Sequence, residues 1–114
     1  MNSLNTESEL RAVIDGPNTT IICFHSTRSA YSRRLVQILA EIEGELSGAE
    51  ICLVDADAAV FLPLLVEFDV VGLPTIQIFC NGTQVKKLVG ERSRKSLLGI
   101  LAKFVKPAVK PQKS

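Results

Sequence analysis

An α/β fold built on a mixed sheet follows from three features of this 114-residue sequence. Residues 19–25, TTIICFH, are apolar at both alternating sets of positions, as in a strand covered on both faces. A long amphipathic pattern follows and leads into a second apolar run, Ile51 to Val54, so strand, helix and strand form a right-handed parallel crossover. Further on, Asn81-Gly82 separates two β-rich runs. Both residue types accept the positive φ of a type I′ hairpin turn, which makes those two strands antiparallel.

Each element has its own local cause. Thr6 and Glu9 form a capping-box pattern ahead of Leu10, Val13 and Ile14, predicting a short first helix that Asp15-Gly16-Pro17-Asn18 terminates. The strand at 19–25 should be central. Leu35, Ile38, Leu39, Ile42 and Leu46 recur in steps of three and four and give the crossover helix its buried face, with Gly44 or Gly48 near its end. After the strand at 51–54, residues 58–68 read as a third helix, in which Pro63 is tolerable only near the first turn. Thr75 to Cys80 and Thr83 to Val89 are the hairpin strands, and Ser93 caps a last helix that turns Leu97, Leu98, Leu101 and Phe104/Val105 to the sheet. The expected order is α-β-α-β-α-β-β-α.

A chain that is 46% hydrophobic and 22% charged can bury a real core, so one domain is expected over residues 1–105. Residues 106–114 belong to a basic, proline-containing end that is expected to be mobile: from Lys103 onward there are four lysines and no acid. Four lysines without interleaved aromatics do not make a nucleic-acid surface. No apolar run is long enough to span a bilayer, and the first ten residues have neither a basic nor an apolar leader pattern. A cytoplasmic location is therefore expected, where the N-x-T sequons at Asn18 and Asn81 carry no weight. Cys23, Cys52 and Cys80 are far apart, without C-x-x-C spacing, which argues for packed single thiols and against disulfides or zinc.

The run VDADAAVFLPLLVEFDVVGLPTIQIFCNG, with Gly72-Leu73-Pro74-Thr75 leading into a strand, resembles the thioredoxin family, and LVG at 88–90 before a Leu-rich helix continues the likeness over nearly the whole chain. The resemblance implies the thioredoxin fold, a central mixed sheet with helices on both faces. It also places Ser29-Ala30-Tyr31-Ser32 at the family's C-G-P-C, with Phe24 at the preceding aromatic. Cys23 stands where many members have a buried Asp, His25 and Arg28 at two usual Trp positions, and Ile51 at a nearby Lys. It further implies that Leu73-Pro74 is a cis peptide bond whose Leu73 backbone meets bound peptides, although this proline would shape the loop whether or not anything binds.

Disulfide exchange needs a thiolate attacker and a second thiol to resolve the mixed disulfide. A serine hydroxyl stays protonated at neutral pH and forms no disulfide. The expected function is a redox-inactive protein-binding adaptor, chaperone-like module or complex subunit, without cofactor or metal. Its groove would comprise Arg28, Ser29, Ala30, Tyr31, Ser32, Leu73, Pro74 and Thr75. The alternative is a thiol-disulfide oxidoreductase represented by a Cys-to-Ser form, which the additional loss of the Asp, both Trp and the Lys argues against.

Other readings of these residues are weaker. Ser29 with His25 lacks an orienting acid and a G-x-S-x-G elbow, so hydrolase chemistry is not expected. Cys23 with His25 supplies two ligands, too few for a metal site. Ser29 has an ordinary role as a helix N-cap. Arg28, Arg33 and Arg34 form either a solvated rim or a groove wall for an acidic or phosphorylated segment. The helix at 58–68 carries more apolar residues than one face needs, so Phe61, Leu62, Leu65 and Phe68 form a candidate surface for self-association or a protein partner, set against simple burial within the chain.

Overall fold

The computed structural model describes residues 1–107. In chain order the elements are β1 (Asn2–Leu4), α1 (Glu7–Ile14), β2 (Thr19–His25), α2 (Ala30–Ile42), β3 (Leu46–Ser47), β4 (Ala49–Asp55), α3 (Leu62–Glu67), β5 (Thr75–Cys80), β6 (Thr83–Val89), α4 (Arg94–Leu101) and β7 (Lys106–Pro107). Short 3-10 turns at Glu43–Glu45 and Ala59–Phe61 follow α2 and precede α3. The main sheet runs β1-β4-β2-β5-β6, with β2 in the centre. β1 and β2 flank β4 in parallel, while β5 pairs antiparallel with both β2 and β6.

Local chemistry sets the element ends. Thr6 Oγ1 accepts the Glu9 N–H at 3.1 Å, and the Glu9 carboxylate accepts the Thr6 N–H at 3.1 Å, closing the capping box on α1. Asn81 and Gly82 turn the hairpin at φ 52° and 82°, as a type I′ turn requires. Pro63 falls in the first turn of α3, where its missing N–H costs no helical bond.

The alternation of β2 and β5 divides the interior in two. Ile21, Cys23, Ile76 and Ile78 pack against Leu35 and Leu39 of α2 and Leu97 and Leu101 of α4. Ile22, Phe24 and Phe79 pack on the opposite face against Leu10, Ile14 and Leu64, together with Phe61. Each such side chain, fully buried, contributes roughly 1.5–3 kcal/mol, so both layers are needed to hold the sheet. The C-terminal end of β2 consequently emerges between two rigid layers and presents residues 26–32 at the rim.

The structure adds strands to the expected order. β1 has no apolar alternation of its own and exists because the exposed edge of β4 offers it a parallel partner, Asn2 opposite Cys52 through Leu4 opposite Val54. β3 and β7 form a separate antiparallel pair, so the expected tail boundary at 106 falls on a paired segment, and residues 108–114 lie outside the described residues.

The candidate interface at 58–68 is corrected. Phe61 is 1% exposed and belongs to the core. The Phe68 ring lies 6.2 Å from that of Phe24 and 6.1 Å from that of Phe79, filling the space beneath the sheet. Leu65 is half-buried, which leaves Leu62, at 62% exposure, as the exposed member of the four. Phe61, Leu64 and Phe68 recur in steps of three and four and turn to the sheet together, which leaves the intervening positions outside. The apolar residues actually exposed here are Val60, Leu62, Val66 and Val71. No helix among the described residues is long and apolar enough to cross a membrane.

Candidate functional site

Residues 26–32 are stitched together by three serine hydroxyls. Ser29 is the N-cap of α2, and its Oγ accepts the Ser32 N–H at 3.2 Å. Ser32, fully buried, accepts the Ser26 N–H on its own Oγ at 3.1 Å. Ser26 Oγ donates to Asp57 Oδ2 at 2.7 Å and accepts the Arg28 N–H at 3.2 Å, while the Ser29 N–H donates to the Ser26 carbonyl at 3.1 Å. Arg28 Nη2 donates to Asp57 Oδ1 at 3.1 Å, which ties the loop to the segment after β4.

Ser26 and Asp57 are the residues in this network that the sequence reading did not assign, although the V-D-x-D run ends on Asp57. The Ser26 hydroxyl, followed by the Arg28 guanidinium, stabilises the Asp57 carboxylate and lowers its pKa. His25, half-buried, is opposite Asp55 in the β2–β4 register, and burial lowers its pKa although the charges of Asp55 and Asp57 pull it upward. No hydrogen bond joins His25 to Ser29 among the described residues. The Ser29 oxygen instead caps the helix, an arrangement that gives no activated nucleophile.

The three arginines of the junction diverge. Arg28 turns to Asp57, Arg33 donates to the Thr27 carbonyl at 2.6 Å, and Arg34 pairs with Glu91 at 3.0 Å. A shared basic wall at 28, 33 and 34 is therefore not formed, because each guanidinium satisfies a different acceptor.

A shallow groove of about 240 Å³ lies beside the junction, lined by Tyr31, Leu73, Pro74, Gly90 and Glu91. The Leu73–Pro74 peptide bond is cis, and the Gly90 N–H donates to the Pro74 carbonyl at 2.8 Å, bringing the end of β6 to the groove. Tyr31 is 61% exposed and forms its outer wall. Of the predicted groove residues, Tyr31, Leu73 and Pro74 come together. Arg28, Ser29 and Ser32 serve the loop network, Ala30 is exposed on the first turn of α2, and Thr75 is buried with its hydroxyl on the Gly72 carbonyl. Gly90 and Glu91 were missed, although the LVG run points to them.

The three cysteines are free. Burial pushes the thiols of Cys23 and Cys52 up to about 12, whereas Cys80 is half-buried with its sulfur 3.5 Å from Thr19 Oγ1. No group of three or more His, Cys, Asp or Glu side chains among the described residues is placed to hold a metal ion.

A five-stranded mixed sheet, helices on both faces and a proline loop facing a strand-to-helix junction define a thioredoxin-fold protein. The thioredoxin family model matches residues 2–103, and the chain belongs to that family. It is 32% identical over 106 residues to protein disulfide-isomerase 1 of Dictyostelium discoideum, covering 90% of this chain and 29% of that protein. The chain spans less than a third of the length of the curated relatives it matches. Among solved structures, oxidised thioredoxin O2 of Arabidopsis thaliana superposes with a TM-score of 0.82 at 19% identity, over 92% of this chain and 94% of that one. Plasmodium falciparum thioredoxin gives 0.83 at 17% identity, over 91% and 99%. At such identities the superpositions establish the fold.

Proposed function

We propose that the chain is a redox-inactive thioredoxin-fold module that binds an extended segment of a partner polypeptide against Tyr31, Leu73, Pro74 and Gly90, as an adaptor, chaperone-like module or complex subunit in the cytoplasm. One observation carries the reading. The positions that the family resemblance gives to the reacting cysteines are Ser29 and Ser32, and their hydroxyls are engaged in holding the loop. The groove next to them keeps an exposed aromatic, an apolar floor and a backbone edge, which suit contact with a peptide and ask for no thiol.

The second reading, an oxidoreductase represented by a Cys-to-Ser form, draws support from the similarity to protein disulfide-isomerase 1. Two measurements separate them. Titrating the isotope-labelled protein with a cysteine-free, extended apolar peptide should shift amide resonances at Tyr31, Leu73, Gly90 and Glu91, and Tyr31→Ala should weaken the binding. Absence of any shift, or shifts confined to other surfaces, would overturn the groove. Insulin reduction should be absent for the native chain and slow for Ser29→Cys/Ser32→Cys; brisk turnover by the double variant would favour the second reading.

A further inference from the structure

Next to the groove, and sharing Glu91 with it, lies a larger cavity of about 560 Å³ between α2 and the start of α4, lined by Arg34, Ile38, Glu91, Arg92, Ser93 and Arg94. We infer that this cavity receives a carboxylate side chain of the bound segment, so that the groove selects polypeptides with an acidic residue beside their apolar contact. The inference rests on the groove reading and adds a specificity to it.

The charges of the cavity support this choice. Arg34, Arg92 and Arg94 line it, with Glu91 as the acidic lining residue. Arg34 is paired with Glu91, and Arg94 is shared between Glu41 at 3.8 Å and Glu45. Arg92 differs: its Nη1 rests on the carbonyls of Val89 at 3.5 Å and Glu91 at 3.2 Å, and it has no carboxylate partner among the described residues. Those neutral acceptors hold the guanidinium in place while leaving its charge uncompensated.

The backbone adds to the same end. Ser93 Oγ accepts the Ser96 N–H at 3.1 Å, and the first intrahelical bond runs from the Leu97 N–H to the Ser93 carbonyl at 2.9 Å. The N–H groups of Arg94 and Lys95 therefore lack intrahelical acceptors at the positive end of α4. The first turn of α4 contains no acidic residue to offset that end, and Arg94 and Lys95 add cations to it. An external anion would supply what the sequence omits. Glu91, Glu41 and Glu45 already compensate much of the charge, so a monoanionic carboxylate fits better than a phosphate dianion.

Capped, fluorescently labelled octapeptides with an apolar central triplet provide the test. Glutamate, glutamine or phosphoserine is placed two residues to either side of the triplet, and binding is read by fluorescence anisotropy at low and high salt. The glutamate peptide in one of the two placements should bind about fivefold tighter than its glutamine match, the scale of one partly exposed ion pair, with the difference shrinking in high salt. Arg92→Gln should erase that difference without changing the affinity for the glutamine peptide, and Glu91→Gln should widen it by freeing Arg34. Equal affinities for glutamate and glutamine in both placements would overturn acid selection while leaving the groove intact. Binding of none of the peptides would overturn the groove reading and this inference with it. A phosphoserine peptide at least about tenfold tighter than glutamate, a gap larger than one exposed pair supplies, would overturn the choice of a carboxylate.

Discussion

Replacing Ser32 by alanine removes the oxygen that accepts the Ser26 N–H at 3.1 Å. Ser32 is 0% exposed and Ser26 6%, so water has little access to take the place of the lost acceptor. A buried donor left unpaired costs about 1–3 kcal/mol. Ser29→Ala frees the N–H of Ser32, itself 0% exposed, so loss of this cap should cost about 1–2 kcal/mol, comparable to Ser32→Ala. Ser32→Cys should fall between Ser32→Ala and the native chain, since sulfur is only a weak acceptor. In urea denaturation of a small protein, with a slope of about 1–3 kcal/mol per molar, a loss of about 2 kcal/mol lowers the midpoint by about 1 M and leaves the slope unchanged. A Ser32→Ala effect below about 0.5 kcal/mol, the size of an ordinary surface substitution, would refute the claim that this hydroxyl holds the junction.

Alkylation at pH 8 followed by mass spectrometry should modify Cys80 first and leave Cys23 and Cys52, both pushed to about 12 by burial, unreacted until urea is added. Rapid native modification of either would contradict their burial. For Asp57, the folded pKa lies below its ordinary 3.8, so its contribution is present above that value and lost as pH falls through the depressed one; Asp57→Asn should flatten this part of a stability profile. His25 is lowered from 6.5 by burial, so between its folded pKa and 6.5 the unfolded chain binds more protons and stability rises with pH; His25→Gln should remove that slope. Gly82→Ala should cost about 1–2 kcal/mol through its φ of +82° alone, because the added Cβ would meet Asp15 only at an ordinary 3.8 Å; an unchanged melting temperature would show that the turn relaxes.

Where a residue's own chemistry decides its conformation, the fold was legible in the sequence. The capping box at Thr6 and Glu9, the positive-φ pair Asn81-Gly82 and the caps at Ser29 and Ser93 all act within a few residues, and each is present. β1 was not legible because its pairing energy comes from β4, some fifty residues away. The helix at 58–68 was misread for a related reason: apolar count says how much surface must be covered, but packing against the distant sheet decides that Phe61 and Phe68 go inward while Val60, Leu62 and Val66 stay out. The site divides in the same way. Tyr31, Leu73 and Pro74 were named from motif likeness, whereas Asp57, Gly90 and Glu91 join through contacts between distant segments that no local pattern encodes.

The surroundings of Ser29 and Ser32 bear on what restored thiols could do. Attack and resolution each need a thiolate. Position 29 is half-buried at a helix N-terminus, where the dipole favours an anion, so a cysteine there would ionise readily. Position 32 is fully buried, and desolvation alone already holds Cys23 near 12. The sites that the family resemblance assigns to a buried acid and a nearby lysine carry Cys23 and Ile51, which pack in one apolar cluster and can neither accept a proton nor support one that does. A double cysteine variant would therefore attack a disulfide yet resolve the mixed product slowly. Slow turnover in the insulin assay is the outcome expected of this scaffold as it stands, and brisk turnover would require a proton acceptor that the cluster around Cys23 and Ile51 does not contain.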